Sequence, residues 1–528
     1  MTRALESATR HDHEPEAAAA DTAPAGTGTT RRRRLFDQDR AVAVLHGTVL
    51  LVTALLALVI VKLPWIGDLG MHAATLERLR HDLLDPGNPM VDATTASPYY
   101  SPWMVLLAVV AKATGLGTFA VLRLAAVVGL TLLLTGVWHF TRTLTRDRAA
   151  PPLALLCLLF LWGPKFFVWS GFIGFTGLSL NISYPSTFTT GLGLHLLALL
   201  ARTLRRGTPP GWSAAAGLGV MWALLMLCHQ FTGVVMTFGA LGVLAGARPW
   251  PARQTWLRLG AGLLSGLALL AVWPYYSFFS LFGIKGLEEI HFGLYDELWG
   301  KWAYVLVGVA ALAVRWWRDR RDPLVVWFLL GLAMVVAGEV LDKWSWGRAE
   351  PAVAMPAQIA AALVVVEGGR KALRALFAVV VSAALVAGAW AQNDVLGWVI
   401  RKEALPKAVT EGAWQPWGGH RWMTRHTAYG DVVMSPRNTA LTLPAYGVYT
   451  VDPGYPDFFL PDEKERIEAT RRYFDRDTPR QERLDILHRY RVKWIVQWKD
   501  QGGLPVTDPA VRLAGKGPTG ELLLRVVG

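Results

Sequence analysis

Cysteine is almost absent, with two thiols, Cys157 and Cys228, in 528 residues. Both lie in apolar segments and none follows residue 391, so no disulfide framework organises the C-terminal region and cysteine chemistry does not report the compartment. Charge is also scarce, at 18% of residues, against roughly a quarter in ordinary soluble proteins. With 53% of residues hydrophobic, a polytopic membrane protein is expected. No Gly-rich loop leading into Lys-Ser or Lys-Thr occurs, which leaves a cytoplasmic nucleotide-sugar site or an ATP motor without support. Nor is there an H-E-x-x-H or any tight ligand spacing, so no zinc site is expected. Of the 93 charged residues 37 lie in 394–528, 20 basic and 17 acidic, a net of +3, so most of the +13 excess belongs to the membrane half. There it is spread through short loops and not gathered on one soluble face, which excludes a nucleic-acid binder.

Residues 1–40 have no apolar periodicity and carry Arg31-Arg32-Arg33-Arg34 near their end; they read as a disordered cytoplasmic tail. Ala41 to Val61 is a run of 21 residues without Asp, Glu, Lys or Arg, long enough to cross a hydrocarbon core of about 30 Å. It exceeds a signal-peptide apolar region and no small-residue cleavage site follows, so a retained first helix is expected. Ten further apolar runs lie near 119–138, 152–170, 186–201, 212–228, 230–246, 257–275, 302–315, 323–341, 352–367 and 372–391. Eleven spans put the two ends of the chain on opposite sides. One set of alternate loops holds 21 Lys and Arg, and the other set, about twice as long, holds nine. Basic residues are retained in the cytoplasm, so the N-terminus is expected inside and everything after Ala391 outside.

The long outer loops are 62–118 and 276–301. In the first, Met71 to Leu84 sets Leu76, Leu79, Leu83 and Leu84 against Glu77, Arg78 and Arg80, the pattern of a helix lying in the membrane interface; Trp103 to Ala113 reads as a second. After Ala391 the composition is that of a soluble domain. Asp431 to Met434, Tyr446 to Val451, Val492 to Trp498 and Glu521 to Val527 read as strands, and 462–475 and 480–490 as amphipathic helices. A small C-terminal α/β domain over 392–528 is expected, behind a transmembrane domain over 41–391.

Asp68 follows Pro64-Trp65-Ile66-Gly67 directly after the first span, where a carboxylate is not needed for insertion and is part of no charge run. At the interface it would be partly desolvated, with a tunable pKa and reach to a lipid-borne substrate, as a general base requires. The other reading is an N-cap for the helix that begins near Met71.

One helix, then Gly67-Asp68-Leu69-Gly70-Met71-His72, an interfacial helix, Ser97-Pro98-Tyr99-Tyr100-Ser101-Pro102 leading into an apolar run, further spans and an outer α/β tail resembles the integral-membrane glycosyltransferases of the C fold type. The resemblance covers most of 41–391 as architecture. It implies a polytopic α-helical enzyme of the cell envelope that moves a sugar from a polyprenyl-phosphate donor to an extracytoplasmic glycan, lipid or protein, with inversion and with Asp68 as the base. Several members of that family carry two adjacent acids, whereas Leu69 follows Asp68 here, so no metal cofactor is expected. A transporter or flippase of lipid-linked sugars and a non-catalytic membrane scaffold are the alternatives. The spans are nearly free of charge and show no internal repeat, which disfavours the transporter.

His72 stands four residues after Asp68 and either orients the acid, binds sugar hydroxyls or is simply an interfacial polar residue. Tyr99 and Tyr100 either stack on a sugar or belong to the aromatic belt. A donor phosphate needs cations, and Arg348 in the late outer loop is the first candidate because guanidinium matches phosphate oxygens in a bidentate way; the resemblance points to the same Arg before a Pro-containing helix. Lys165 and Lys343 come after it, with salt-bridging to Asp342 or Glu350 as their other reading. His229, which breaks two apolar runs, and Glu350 are candidate substrate contacts. Arg123 near the outer end of the second span is expected to turn inward to a carboxylate. The loop Phe282 to Lys301, with Glu288, Glu289, His291, Asp296 and Glu297, reads as an amphipathic segment that closes over the donor.

Overall fold

A computed structural model describes residues 27–283, 286–367, 369–411 and 413–527. Its first helices are α1 (Thr27–Lys62), α2 (Leu69–His81), α3 (Pro102–Thr114), α4 (Thr118–Leu144), α5 (Ala150–Phe160), α6 (Phe175–Leu180), α7 (Pro185–Arg205) and α8 (Trp212–Cys228). Then come α9 (Gln230–Ala245), α10 (Arg253–Ala271), α11 (Leu287–His291), α12 (Leu298–Trp302), α13 (Val305–Arg318), α14 (Pro323–Val340), α15 (Pro351–Glu367) and α16 (Lys371–Ala391). Local chemistry sets several of these starts. Pro102, Pro185, Pro323 and Pro351 each open a helix, where a missing N–H costs nothing. Ser101 Oγ accepts from Met104 N at 3.3 Å, and Asp322 Oδ1 accepts from Leu324 N at 2.9 Å.

Of the expected tail, residues 1–26 lie outside the described residues, and helix α1 already begins at Thr27. All eleven expected spans contain a helix, but among the described residues only six helical stretches are long and apolar enough to cross a membrane. These are Asp39–Lys62, Thr118–Leu144, Pro185–Arg205, Pro323–Val340, Trp344–Glu367 and Lys371–Ala391. The run at 152–170 is the clearest departure: α5 stops at Phe160, and the chain continues as irregular backbone to α6. Such backbone is tolerated at membrane depth only where protein encloses it, and Leu161, Trp162, Phe172 and Ile173 are buried. Helix α15 is the axis of the bundle, buried on nearly all sides between α5, α13, α14 and α16.

The two sets of alternate loops separate cleanly. At the basic end Thr145 Oγ1 meets Glu367, Arg205 donates to the carbonyl of Thr143, Arg248 pairs with Asp319 at 3.1 Å, and Arg258 donates to Pro210 O at 2.6 Å. The loops poor in Lys and Arg gather at the other end, under the C-terminal domain.

That domain has a five-stranded sheet of β1 (Val432–Met434), β2 (Tyr449–Thr450), β3 (Val492–Trp498), β4 (Val511–Lys516) and β5 (Glu521–Val526), in the order β2-β1-β3-β5-β4. The pairs β1/β2 and β1/β3 are parallel, and β3/β5 and β4/β5 antiparallel. Tyr473 and Leu487, from helices Glu463–Phe474 and Arg480–Arg489, cover one face; Met423, Leu443 and Val448 cover the other. The sequence reading lacked β4, an edge strand with exposed Arg512 and Lys516 that shows no apolar run.

Helix α2 is not an interfacial helix exposed on one side. Its apolar face packs in the membrane half, Glu77 and Arg80 pair with each other and with Thr118 at the start of α4, and the C-terminal domain covers Arg78, which is fully buried. The Arg78 guanidinium donates to Pro89 O, Gly447 O and Val448 O and lies 3.6 Å from the centre of the Tyr449 ring. Gly70 permits the close approach, because a Cβ there would sit 1.9 Å from Leu441 O. Asn88 Nδ2 donates to Asp457 Oδ2 at 2.6 Å, and Thr450 N to Met90 O at 2.9 Å. Arg123 finds no carboxylate: its Nε donates to Val61 O at 3.0 Å and its guanidinium to Phe119 O at 3.1 Å. The unpaired carbonyls at the end of α1 supply the acceptor that was expected from an acid.

Candidate functional site

Between α1 and α2 the chain turns within six residues, passing through left-handed backbone at Leu63 (φ 49°) and Gly67 (φ 46°). Asp68 follows, at the N-cap position of α2, but its backbone (φ −73°, ψ 2°) is not the extended one an N-cap uses, and its side chain makes no capping bond. Among the described residues its carboxylate has no hydrogen bond and no ion pair. It is half-buried, and we treat the groups gathered around it as the walls of a candidate recess. Burial pushes the Asp68 carboxyl above the usual carboxylate range, and the positive charge of Arg348 opposes that shift.

The groups within electrostatic reach of Asp68 come from separate elements: Arg348, Tyr99, Tyr184 at the N-cap of α7, and Tyr455 from the C-terminal domain. The His72 ring stands edge-on to Tyr184, with centroids 4.6 Å apart, and at 6.0 Å from Tyr99. Its Nδ1 is buried without a hydrogen-bond partner, and burial holds its pKa down at about 3. His72 is therefore a neutral ring in the wall of the recess.

Arg348 lies in the 3-10 turn Trp344–Ala349 that leads into α15. It is 7% exposed, and its guanidinium carbon stands 4.5 Å from the Phe231 ring centre and 5.6 Å from that of Trp169. Nε has no partner, and one terminal nitrogen is 3.4 Å from His229 Nε2. His229 caps α9: its Nδ1 accepts from Thr232 N at 3.2 Å. In the neutral ring the proton then sits on Nε2, 3.2 Å from Ser170 Oγ. Two donors cannot satisfy each other; Ser170 Oγ, which donates to Ser186 Oγ, is the acceptor for the His229 Nε2–H, whereas among the described residues the guanidinium makes no ion pair at the mouth of α15, whose N-terminus also favours negative charge.

The structure thus brings together Asp68, His72, Tyr99, His229 and Arg348. It does not bring in Tyr100, whose hydroxyl donates to Gly87 O at 2.8 Å and whose side chain is buried; neighbouring residues in this turn point opposite ways. Lys165 is exposed and paired with Glu297, over a separate cleft lined by Phe166, Phe167 and Lys301. Glu350 is buried behind Arg348, with both oxygens unpartnered and with Lys301 and Arg348 in electrostatic reach. Glu288 is held by Ser345, which donates to it from its N–H at 2.7 Å and from Oγ at 3.0 Å. This bond ties the 286–301 segment to the turn that carries Arg348. Among the described residues no three His, Cys, Asp or Glu side chains converge as metal ligands. Trp169, Tyr184, Phe231 and Tyr455 also belong to the site and are not among the candidates that the sequence singles out. Tyr184, in Ile182-Ser183-Tyr184-Pro185 at the outer start of a span, carried a weak signal, whereas Tyr455 carried none.

The fold is similar to that of solved integral-membrane glycosyltransferases of the C fold type. The cryo-EM structure of the arabinofuranosyltransferase AftD from mycobacteria matches 93% of this chain with TM-score 0.54 and 16% identity, and a variant of it matches 93% with TM-score 0.56 and 17% identity. The chain spans about 40% of AftD. ArnT from Cupriavidus metallidurans, bound to undecaprenyl phosphate, matches at TM-score 0.48 and 14% identity, over 91% of this chain and 98% of that one. No protein-family model and no curated sequence matches the chain. At these identities the likeness is one of fold.

Proposed function

We propose that the protein is a glycosyltransferase that moves one sugar, a hexose or a pentose, from a polyprenyl-phosphate donor to a glycan, lipid or protein acceptor, inverting the anomeric centre. One observation supports this reading: a carboxylate that does not cap its helix and a buried guanidinium that makes no ion pair lie within electrostatic reach of each other. Asp68 takes the proton of the acceptor hydroxyl as that oxygen attacks the anomeric carbon. The bond from that carbon to the lipid phosphate breaks, and Arg348 receives the phosphate charge. His72, neutral, and Tyr99 contact the sugar. An arabinofuranosyltransferase having this fold is consistent with the same class of chemistry. Incubating the purified full-length protein with a panel of radiolabelled polyprenyl-phosphate pentoses and hexoses and membrane extract tests the proposal. Absence of transfer from every donor would count against it.

The base has to be ionised, so turnover rises with pH through the pKa of Asp68, and the acid limb of the rate profile should lie above the usual carboxylate range of about 4. Arg348 favours the ionised form, so in Arg348→Gln the limb moves to higher pH. A limb unchanged in that variant would separate Arg348 from the base.

The reaction is proposed for the extracytoplasmic face. Since 21 Lys and Arg occupy the loops at one end of the bundle and nine those at the other, a reporter fused at the C-terminus should be active only outside the cytoplasm. Activity inside the cytoplasm would reverse the orientation.

A further inference from the structure

A residue that opens a helix with Asp ordinarily bends its carboxylate back onto the free N–H groups of the first turn. Asp68 does not, and the cause lies in the two residues before it. The carbonyl of Ile66 accepts from the Tyr184 hydroxyl at 2.5 Å, and the carbonyl of Gly67 accepts from the Tyr455 hydroxyl. Tyr184 belongs to the membrane half. Tyr455 belongs to the C-terminal domain, on a turn where Gly454 has φ 73° and donates its N–H to Asp452 Oδ1 at 2.7 Å. The two hydroxyls grip consecutive carbonyls from different elements. They thereby hold Gly67 in its left-handed conformation and Asp68 in a backbone conformation from which the side chain does not reach the helix N–H groups. The contact of Leu441 O with Gly70 fixes the same turn of α2 against the domain.

We infer that Tyr455 and Tyr184 are positioning residues that keep the Asp68 carboxylate out of its own helix cap and turned into the recess, so that the C-terminal domain is a working part of the reaction centre. The inference rests on the reading of Asp68 as the base. It gives the C-terminal domain a task that its fold alone does not indicate, and it makes activity depend on domain docking through Arg78, Gly70 and Tyr455.

The groups within electrostatic reach of Asp68 are Arg348, Tyr99, Tyr184 and Tyr455, with His72 on its own helix. Tyr455→Phe removes only the hydroxyl. The Gly67 carbonyl is then free to turn, Asp68 drops into the cap position, and N–H donors stabilise its charged form. Its pKa falls, on the order of one pH unit. Carbodiimide attacks protonated carboxyls, so its labelling of Asp68, read by peptide mass spectrometry against pH in the full-length protein, reports that pKa without a substrate. The expected result is a labelling midpoint moved to lower pH in Tyr455→Phe and in Tyr184→Phe, together with reduced transfer from the polyprenyl-phosphate sugar panel. Midpoints equal to or above that of the unaltered protein in both variants would overturn the inference, including where folded yield is reduced. Asp68→Asn separates the two readings. If it abolishes transfer while the tyrosine variants leave the midpoint in place, only the positioning role fails; if it leaves transfer intact, the base assignment fails.

Discussion

Asp68→Asn should reduce turnover by about 10²- to 10⁴-fold, the usual contribution of a general base, while donor binding and protein yield stay near those of the unaltered protein. Asn keeps the size and the hydrogen-bonding capacity of the side chain and removes only basicity. The variant should also fold at least as stably. Because the folded protein holds this carboxyl above its ordinary pKa, the protonated form is the one the fold favours. That stability is present at low pH and is lost as pH rises through the folded value. Near neutral pH a charged carboxylate without hydrogen bonds is therefore a cost that the neutral amide avoids. Turnover assays and thermal melts on the same preparation check both halves. Unchanged turnover would move the chemistry to another carboxylate. Glu350 would come next, since Glu288 is already bound to Ser345.

The second large effect is expected at Arg348. Truncation to Ala leaves a phosphate in a poorly hydrated pocket without its cation, a loss of about 2–5 kcal/mol for a buried charge pair, or roughly 30- to 5,000-fold in donor affinity. Arg348→Lys retains the charge but not the planar fork, and its ammonium reaches less far between Phe231 and Trp169, so donor binding should weaken by a smaller factor. Equilibrium binding of the polyprenyl-phosphate donor distinguishes this from acceptor recognition, which should change less. If both variants lose folded yield while the surviving protein binds donor normally, Arg348 serves the fold through Glu350 and not the phosphate.

Much of this arrangement follows from the order of residues alone. The eleven apolar runs, the alternation of basic and non-basic loops and the switch to soluble composition after Ala391 determine a helical bundle with a separate α/β domain, because burying apolar length and satisfying backbone groups leave few other solutions. Asp68 and Arg348 were legible because a carboxylate and a guanidinium are costly beside a membrane and need a reason to be there. Tyr99 and Tyr100 were not separable, because which of two adjacent rings faces a recess depends on a turn whose shape is set by Gly87 and Ser97. Lys165 looked like a free cation in one dimension, and only folding brings Glu297 onto it.

The amphipathic pattern of α2 marks two unlike faces, but it does not show that Arg78 on the polar face lies against protein and not against water. The pattern records that Arg78 needs polar company, and a carbonyl of the C-terminal domain serves as well as water. The same holds for the break at Phe160 and for Tyr455. The sequence by itself determined the apolar runs, the soluble composition after Ala391 and the two outer charged groups as candidates, since each rests on transfer free energies that act residue by residue. Tertiary structure alone decided which loops share a recess, why Asp68 does not cap its helix, and that a tyrosine 387 residues later grips the carbonyl beside it, because those outcomes depend on contacts between segments whose separation along the chain carries no local signal.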